Sequence, residues 1–251
     1  MRNEDIARRL GLETGDFFIT APAPCPYLAG RTERKVFSYL SGPAAPSLNA
    51  ILTRRGFRRS QNIIYVPACD ACQACVPVRI VVDDFKLTRS RKRTLGANAD
   101  LSRRMKPAQA TSEQFSVLRG YLDARHEDGG MADMNVLDYA SMVEETSVHT
   151  MILEYAARDA HDEERLVACA LSDRLTDGLS MVYSFFEPDE EARSLGRFMI
   201  LDHVALARDL GLPYVYLGYW VDGSPKMDYK ASFQPLEKLT ATGWVRMDRS
   251  T

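Results

Sequence analysis

The chain has 251 residues, 45% apolar and 26% charged, with a formal net charge of −2, which excludes a disordered chain and allows one large core or two modest ones. No apolar run approaches the roughly 18–20 residues of a membrane-crossing helix, and the charged start MRNEDIARRLGLETGD has no signal-peptide core, so a cytoplasmic protein is expected. The small net charge conceals segregation: residues 31–106 hold 16 Lys and Arg against 5 Asp and Glu, whereas residues 107–192 hold 5 against 19. Either the basic block meets a polyanion, releasing its counterions, or the two blocks dock on each other.

In chain order, FFITA reads as a short strand and APAPCPYLAG as a Pro-rich connection. LNAILTRRGF predicts a short helix ending at Gly56. NIIYVPA and VPVRIVV are β-branched runs that predict strands on either side of CDACQAC. Residues 88–106, TRSRKRTLGANADLSRRMK, form a basic and partly helical segment closed by Pro107. Thr111 and Gln114 have capping-box spacing and open a helix with Phe115, Leu118 and Leu122 on one stripe. LDYASMVEE predicts a shorter helix. HTMILEYAA, RLVACALSD and LSMVYSFFE, separated by HDEE and TDG, predict an antiparallel meander. RSLGRFMILDHVALARDLG is a long amphipathic helix, PYVYLGYWV a further strand, and KMDYKASFQP a helix-like piece before closing strands. This order predicts an α+β protein. A small N-terminal module (residues 1–84) packs against a GNAT-like, that is N-acetyltransferase-like, core (residues 85–251). The core has a mixed, mainly antiparallel sheet whose first strand comes from residues 76–82.

Four segments concentrate chemistry. Cys69, Cys72 and Cys75 stand three residues apart, spacing that lets thiolates converge on zinc or an iron–sulfur cluster, with Cys25 as a candidate fourth ligand. Five cysteines, an odd number, do not suggest a secreted disulfide framework. In GFRRSQN, Arg58 and Arg59 present guanidinium forks suited to a carboxylate or phosphate. In GYWVDGSPKMDYKASFQP, the aromatics Tyr219 and Trp220 precede Asp222, Lys226, Tyr229, Lys230 and Phe233. In RSLGRF, Arg193 and Gly196 fit the pyrophosphate loop of a coenzyme A enzyme, but Phe198 stands where a second small residue is expected, which disfavours that donor. His126 is a candidate proton shuttle, though a lone histidine at a helix end is more often a cap.

Together CPYLAGRTERKVF, GFRRSQNIIYVPACDACQACVPVRI, RSLGRFMILDHV and YVYLGYWVDGSPKMDYKASFQPLE resemble the aminoacyl-tRNA–protein transferases. The resemblance is closest to the bacterial aspartate/glutamate leucyltransferases and looser to the arginyltransferases. It implies transfer of leucine from leucyl-tRNA to proteins with N-terminal Asp or Glu, creating an N-degron, with no DNA or membrane partner. It also implies zinc or iron–sulfur binding at the N-terminal cysteines of arginyltransferases. This chain departs from their pattern with CPYL and CDACQAC, and the transfer itself requires no cofactor.

On this reading Lys86, Arg89, Arg91, Lys92, Arg93, Arg103 and Arg104 hold tRNA phosphates. Arg58, Arg59, Lys226 and Lys230 receive the acidic side chain or the tRNA end. Tyr219, Trp220 and Phe233 shape the leucyl pocket, and Tyr229 or Asp222 relays the proton. The alternatives are a coenzyme A-dependent N-acyltransferase, arginine as donor, and a noncatalytic metal-stabilised RNA-binding module.

Overall fold

The computed structural model describes residues 17–125, 133–158 and 161–247, so His126 lies outside the described residues. The N-terminal module opens with β1 (Phe18–Ile19), β2 (Ala23–Pro24), β3 (Thr32–Glu33) and β4 (Lys35–Tyr39). Helix α1 (Ala45–Arg54) follows, with proline in its first turn, where a missing N–H costs nothing. After it, β5 (Arg58–Ser60) and β6 (Ile63–Pro67) complete a four-stranded sheet of order β1-β4-β6-β5. One face of this sheet closes on α1 around Phe17, Val36, Leu40, Leu52, Phe57 and Ile64.

The next strand, β7 (Val76–Val81), leaves that sheet and joins the larger one. The basic segment then splits into helix α2 (Arg89–Gly96) and strand β8 (Ser102–Pro107). The expectation of one partly helical segment is corrected in its second half: Ser102–Pro107 pairs antiparallel with the following strand as the sheet's edge, a tertiary preference that overrides local propensity. Helix α3 (Ser112–Arg125) starts at a reciprocal box, with Thr111 Oγ1 accepting from Gln114 N–H and Gln114 Oε1 accepting from Thr111 N–H. Helix α4 (Val136–Glu144) starts at a second box formed by Asn135 and Asp138. The meander β9 (Thr150–Arg158), β10 (Glu164–Arg174) and β11 (Gly178–Phe186) leads to helix α5 (Leu195–Asp209), then β12 (Tyr214–Trp220), a 3-10 turn at Asp228–Ser232, β13 (Leu236–Thr240) and β14 (Gly243–Arg246).

The large sheet has the order β14-β13-β7-β12-β11-β10-β9-β8 and is antiparallel except between β11 and β12. Its central strands are buried on both faces, which explains their nearly continuous apolar runs. One face packs on α5 through Leu153, Val167, Phe198, Met199 and Val204. The other packs on α3 and α4 through Leu118, Leu122, Tyr139, Ile152, Cys169 and Phe185. This is the GNAT-like α+β arrangement expected.

The parallel pair positions the site. Gly178, Leu179 and Ser180 pair with Tyr214, Val215 and Tyr216, and the pairing then stops. Both strands carry a bulge beyond that point. Val182 is skipped between the pairs Tyr183–Leu171 and Met181–Ser172, and Leu217 between Tyr216–Arg79 and Gly218–Val78. A bulge bends and twists its strand, so the centre of the sheet opens into a V.

Candidate active site

A cleft of about 1210 Å³ occupies the mouth of this V. Its walls come from β5 and β6 of the module, the C-terminal halves of β11 and β12, the first turn of α5, helix α4 and the turn at Pro225–Lys230. The cleft therefore exists only where module and core meet.

Arg58 spans the V. Its Nη2 donates to the carbonyl of Val182, the bulged residue of β11, at 2.9 Å. Its guanidinium lies against Gly218 of β12, where an added Cβ would sit 2.6 Å from Cζ. Gly218 also has φ +74°, a left-handed conformation that disfavours any side chain. Arg58 Nη1 is buried and has no hydrogen-bond partner. Beside it, Lys230 is only 8% exposed and donates to the Tyr219 carbonyl at 2.8 Å. Burial first, and then Arg58, pull the Lys230 amine down to about 7. Among the described residues neither cation has a carboxylate within ion-pair distance. Lys226 and Tyr229 also line the cleft, the first exposed and the second half-buried. Burial raises the Tyr229 phenol above its ordinary value, so it remains a hydrogen donor at neutral pH.

Arg59, the next residue, borders the cleft but its guanidinium is engaged elsewhere. It forms a fork on Asp173 of β10 at 2.6 and 2.7 Å, with both side chains at most 2% exposed. Thr150 and Asn49 complete the shell around that carboxylate. The structure thus corrects the assignment of Arg59 to substrate: its charge is already neutralised in a clamp between module and core.

The aromatic expectations shift as well. Tyr219 is 3% exposed, and its hydroxyl donates to the Gly56 carbonyl at 3.0 Å, tying β12 to the module. Phe233 is buried in the core under α5. Trp220 donates to Asp228, and neither Trp220 nor Phe233 borders the cleft. Asp222 is exposed and outside the cleft lining, so Tyr229 is the better placed of the two relay candidates. Residues not anticipated from sequence also line the cleft, notably Tyr27, Tyr65 and Tyr183. Tyr183 sits in a continuous apolar run, where periodicity gives no sign of a bulge.

The basic block divides in two. Lys86, Arg89, Lys92 and Arg93 are exposed on or beside α2 without a carboxylate partner among the described residues. Arg91 is different: it donates to the carbonyls of Lys86 and Ser232 and lies 4.1 Å over Phe85, fixing α2 against the turn that borders the cleft. On β8, Arg103 pairs with Asp202 and Arg104 with Glu164. These three serve internal contacts, and through Arg104 and Glu164 part of the basic block meets the acidic one, as the docking alternative anticipated.

Cys25, Cys69, Cys72 and Cys75 line a separate cavity of about 510 Å³ in the module. The Cys72 thiol is held below its ordinary value by the backbone N–H of Ala74 and by Arg31, whose Nη1 lies 3.1 Å from the sulfur. Burial and the neighbouring thiols push Cys75 up to about 12. Thiol chemistry suits zinc or a cluster, but among the described residues no three His, Cys, Asp or Glu side chains are gathered to hold a metal ion.

Residues 23–93 match the family described as arginine-tRNA-protein transferase, N terminus, and residues 113–240 its C terminus. The chain is 58% identical over 240 residues to an aspartate/glutamate leucyltransferase of Nitrobacter hamburgensis, covering 94% of this chain and 93% of that one. It is 59% identical over 237 residues to one of Afipia carboxidovorans, covering 94% of each. Among solved structures, FemX aligns with TM-score 0.48 at 8% identity over 90% of this chain and 89% of its own. The C-terminal domain of a putative lysylphosphatidylglycerol synthetase from Agrobacterium fabrum aligns with TM-score 0.43 at 14% identity, over 78% and 56%.

Proposed function

The chain belongs to the aspartate/glutamate leucyltransferases, enzymes that move leucine from leucyl-tRNA to an N-terminal Asp or Glu and so create an N-degron, and from that premise we propose how its cleft performs the reaction. One observation carries the proposal: the cleft holds the half-buried Arg58, whose Nη1 is buried and unpartnered, beside the buried Lys230, and no carboxylate pairs with either among the described residues. A buried unpaired charge is costly, and the acceptor's side-chain carboxylate removes that cost. Asp and Glu are selected because only an acidic side chain closes the pair. Lys226, at the rim, adds attraction during entry.

The acceptor α-amino group has an ordinary pKa of about 7.7–8.0, so a useful fraction is neutral near pH 7. With the carboxylate held, that nitrogen attacks the ester carbonyl carbon. A C–N bond forms as the carbon–ribose oxygen bond breaks; the amine loses a proton and the departing ribose oxygen gains one. Tyr229, neutral and lining the cleft, is proposed to hydrogen-bond that oxygen. No covalent enzyme intermediate or cofactor enters this sequence, and most of the acceleration comes from orientation. The exposed cations of α2 offer contacts for tRNA phosphates. Charged tRNA is cytoplasmic, which places the reaction there; no described helix is long and apolar enough to cross a membrane.

A coenzyme A donor fits less well. Arg58 fills the opening of the V, and Phe198 is buried in the helix where a small residue is expected. The test is leucine transfer from leucyl-tRNA to peptides beginning with Asp, Glu, Asn or Ala, beside acetyl-CoA turnover. Leucine is expected on the Asp and Glu peptides alone. Arg58→Ala should lower kcat/KM for the Asp peptide by roughly 100-fold, the usual scale for truncating one partner of a buried charged hydrogen bond. A folded Arg58→Ala enzyme with undiminished preference for Asp would sink the assignment.

A further inference from the structure

The apolar walls of the cleft differ on the two faces of the sheet. On the α5 side, Met181, Leu195, Ile200 and Leu217 border the cleft but are themselves core residues, buried and already packed. On the opposite side, Met134, Met142 and Tyr183 reach the core under α3 and α4 with only part of their surface, Tyr121 touches both cores, and each stays half-buried, with Leu171 buried at the floor. Unfilled apolar surface in the cleft therefore lies between α3, α4 and the bulged half of β11. A second, independent feature points there. The Tyr183 hydroxyl is buried and has no hydrogen-bond partner, a state that costs stability unless a ligand supplies the missing bond.

We propose that the chamber bounded by Tyr121, Met134, Met142, Leu171 and Tyr183 seats the leucyl side chain of the donor, with the Tyr183 hydroxyl hydrogen-bonding the leucyl α-amino group. The inference rests on the leucyl-transfer reading and deepens it. Leucine is a branched aliphatic group with a free amine two bonds from its side chain. The chamber offers adaptable thioethers and aromatic rings for the one and a single unpaired hydroxyl for the other. Val182, whose carbonyl accepts from Arg58, precedes Tyr183 directly. The donor's chamber and the acceptor's cation thus adjoin across one peptide of β11, which brings amine and ester together. This moves the leucyl pocket away from Trp220 and Phe233, which pack in the core under α5, to the opposite face of the sheet; Tyr219 lines the cleft, but its hydroxyl is engaged by the Gly56 carbonyl.

The experiment charges one leucine tRNA with leucine or with phenylalanine, so that the tRNA body is constant and only the side chain changes. Transfer to an Asp peptide is then measured with the wild type, Met142→Ala and Met142→Phe, each checked by thermal melting. Met142 is half-buried on a helix, so both changes are tolerable. Opening the chamber should raise the phenylalanine-to-leucine ratio about tenfold, and narrowing it should lower leucine transfer about tenfold, the scale set by a methylene or two in an apolar pocket. Ratios unchanged in both variants, beside a wild type that transfers leucine, would overturn the chamber assignment. A wild type that transfers no leucine to Asp peptides would overturn the underlying reading instead. Tyr183→Phe separates the hydroxyl's role: weaker leucine transfer with an unchanged or higher Tm supports ligand binding, whereas a lower Tm with unchanged transfer would make the hydroxyl structural and refute that part.

Discussion

Within β5 successive side chains point to opposite faces of the sheet, and Arg58 and Arg59 use this alternation for different purposes. Arg58 pairs across strands with Tyr65 on the face that borders the cleft, while Arg59 is buried against Asp173. The sequence shows two adjacent guanidiniums and cannot rank them, because rank depends on a partner 114 residues away. Mutation should separate them as well. Arg59→Ala leaves Asp173 buried and unpaired and should cost about 3–5 kcal/mol of stability, read as a fall in the urea midpoint, whereas Arg58→Ala should act mainly on transfer. Lys230 adds a pH dependence. Its folded value, about 7, lies below its ordinary 10.5, so between those limits the unfolded chain holds a proton that the folded chain has released. Its contribution to stability therefore grows as pH rises through that window and is least below pH 7. Lys230→Met should be stabilising most at pH 6, with the advantage fading toward pH 10 in urea denaturation. The acceptor effect runs the other way: a neutral Lys230 attracts a carboxylate less, so the ratio of KM for an Asp peptide in the wild type to that in Lys230→Met, a ratio that cancels the titration of the peptide's own amine, should rise between pH 6.5 and 8.5.

Elements with strong local signals were legible from sequence. The capping box at Thr111, the stripe of α3, the three-strand meander and the long α5 follow from spacing and alternation alone. What was not legible depends on neighbours. The edge strand β8 carries four exposed polar or charged residues and proline around Met105, a composition suited to a solvent edge that gives no alternating apolar signal. The two bulges are likewise invisible in a run such as LSMVYSFFE, although they open the sheet. Gly218 is the exception, since an isolated glycine inside a strand pattern marks a bulge or close approach. Gly218→Ala should displace the Arg58 guanidinium and reproduce much of the loss expected of Arg58→Ala; a variant with normal kcat/KM for Asp peptides would show that the close approach is dispensable. Helix α2 and strand β8 also predict different salt behaviour. Replacing Arg89, Lys92 and Arg93 with Ala should flatten the dependence of tRNA affinity on salt, by about one unit of log–log slope for each phosphate no longer neutralised. Arg103→Ala, which breaks an internal pair with Asp202, should leave the slope unchanged.

For the whole molecule, the segregation of charge along the chain proved to serve two ends. Arg104 meets Glu164 of the acidic block and Arg103 pairs with Asp202 beyond it, while Lys86, Arg89, Lys92 and Arg93 keep their charge outward. Composition could state both alternatives but not divide the residues between them. The strand expected from residues 76–82 as the first of the core, β7, does sit inside the large sheet, between β13 and β12. The location of the cleft was not visible, because it is a property of the joint. Residues of the module reach it through β5 and β6, and the core reaches it through β11, β12 and α4.

The adjacency of Arg58 and Arg59 ties recognition to assembly. The residue that clamps module to core lies one peptide from the residue proposed to read the acceptor, on a strand of three residues. A molecule whose clamp has not closed has no reader in place, so it cannot mark a protein for destruction while still incompletely assembled itself. A one-residue slip of β5 would exchange the two faces and turn reader into anchor. On the proposed role of Arg58, fidelity toward Asp and Glu is thereby also an integrity check on the enzyme's own fold.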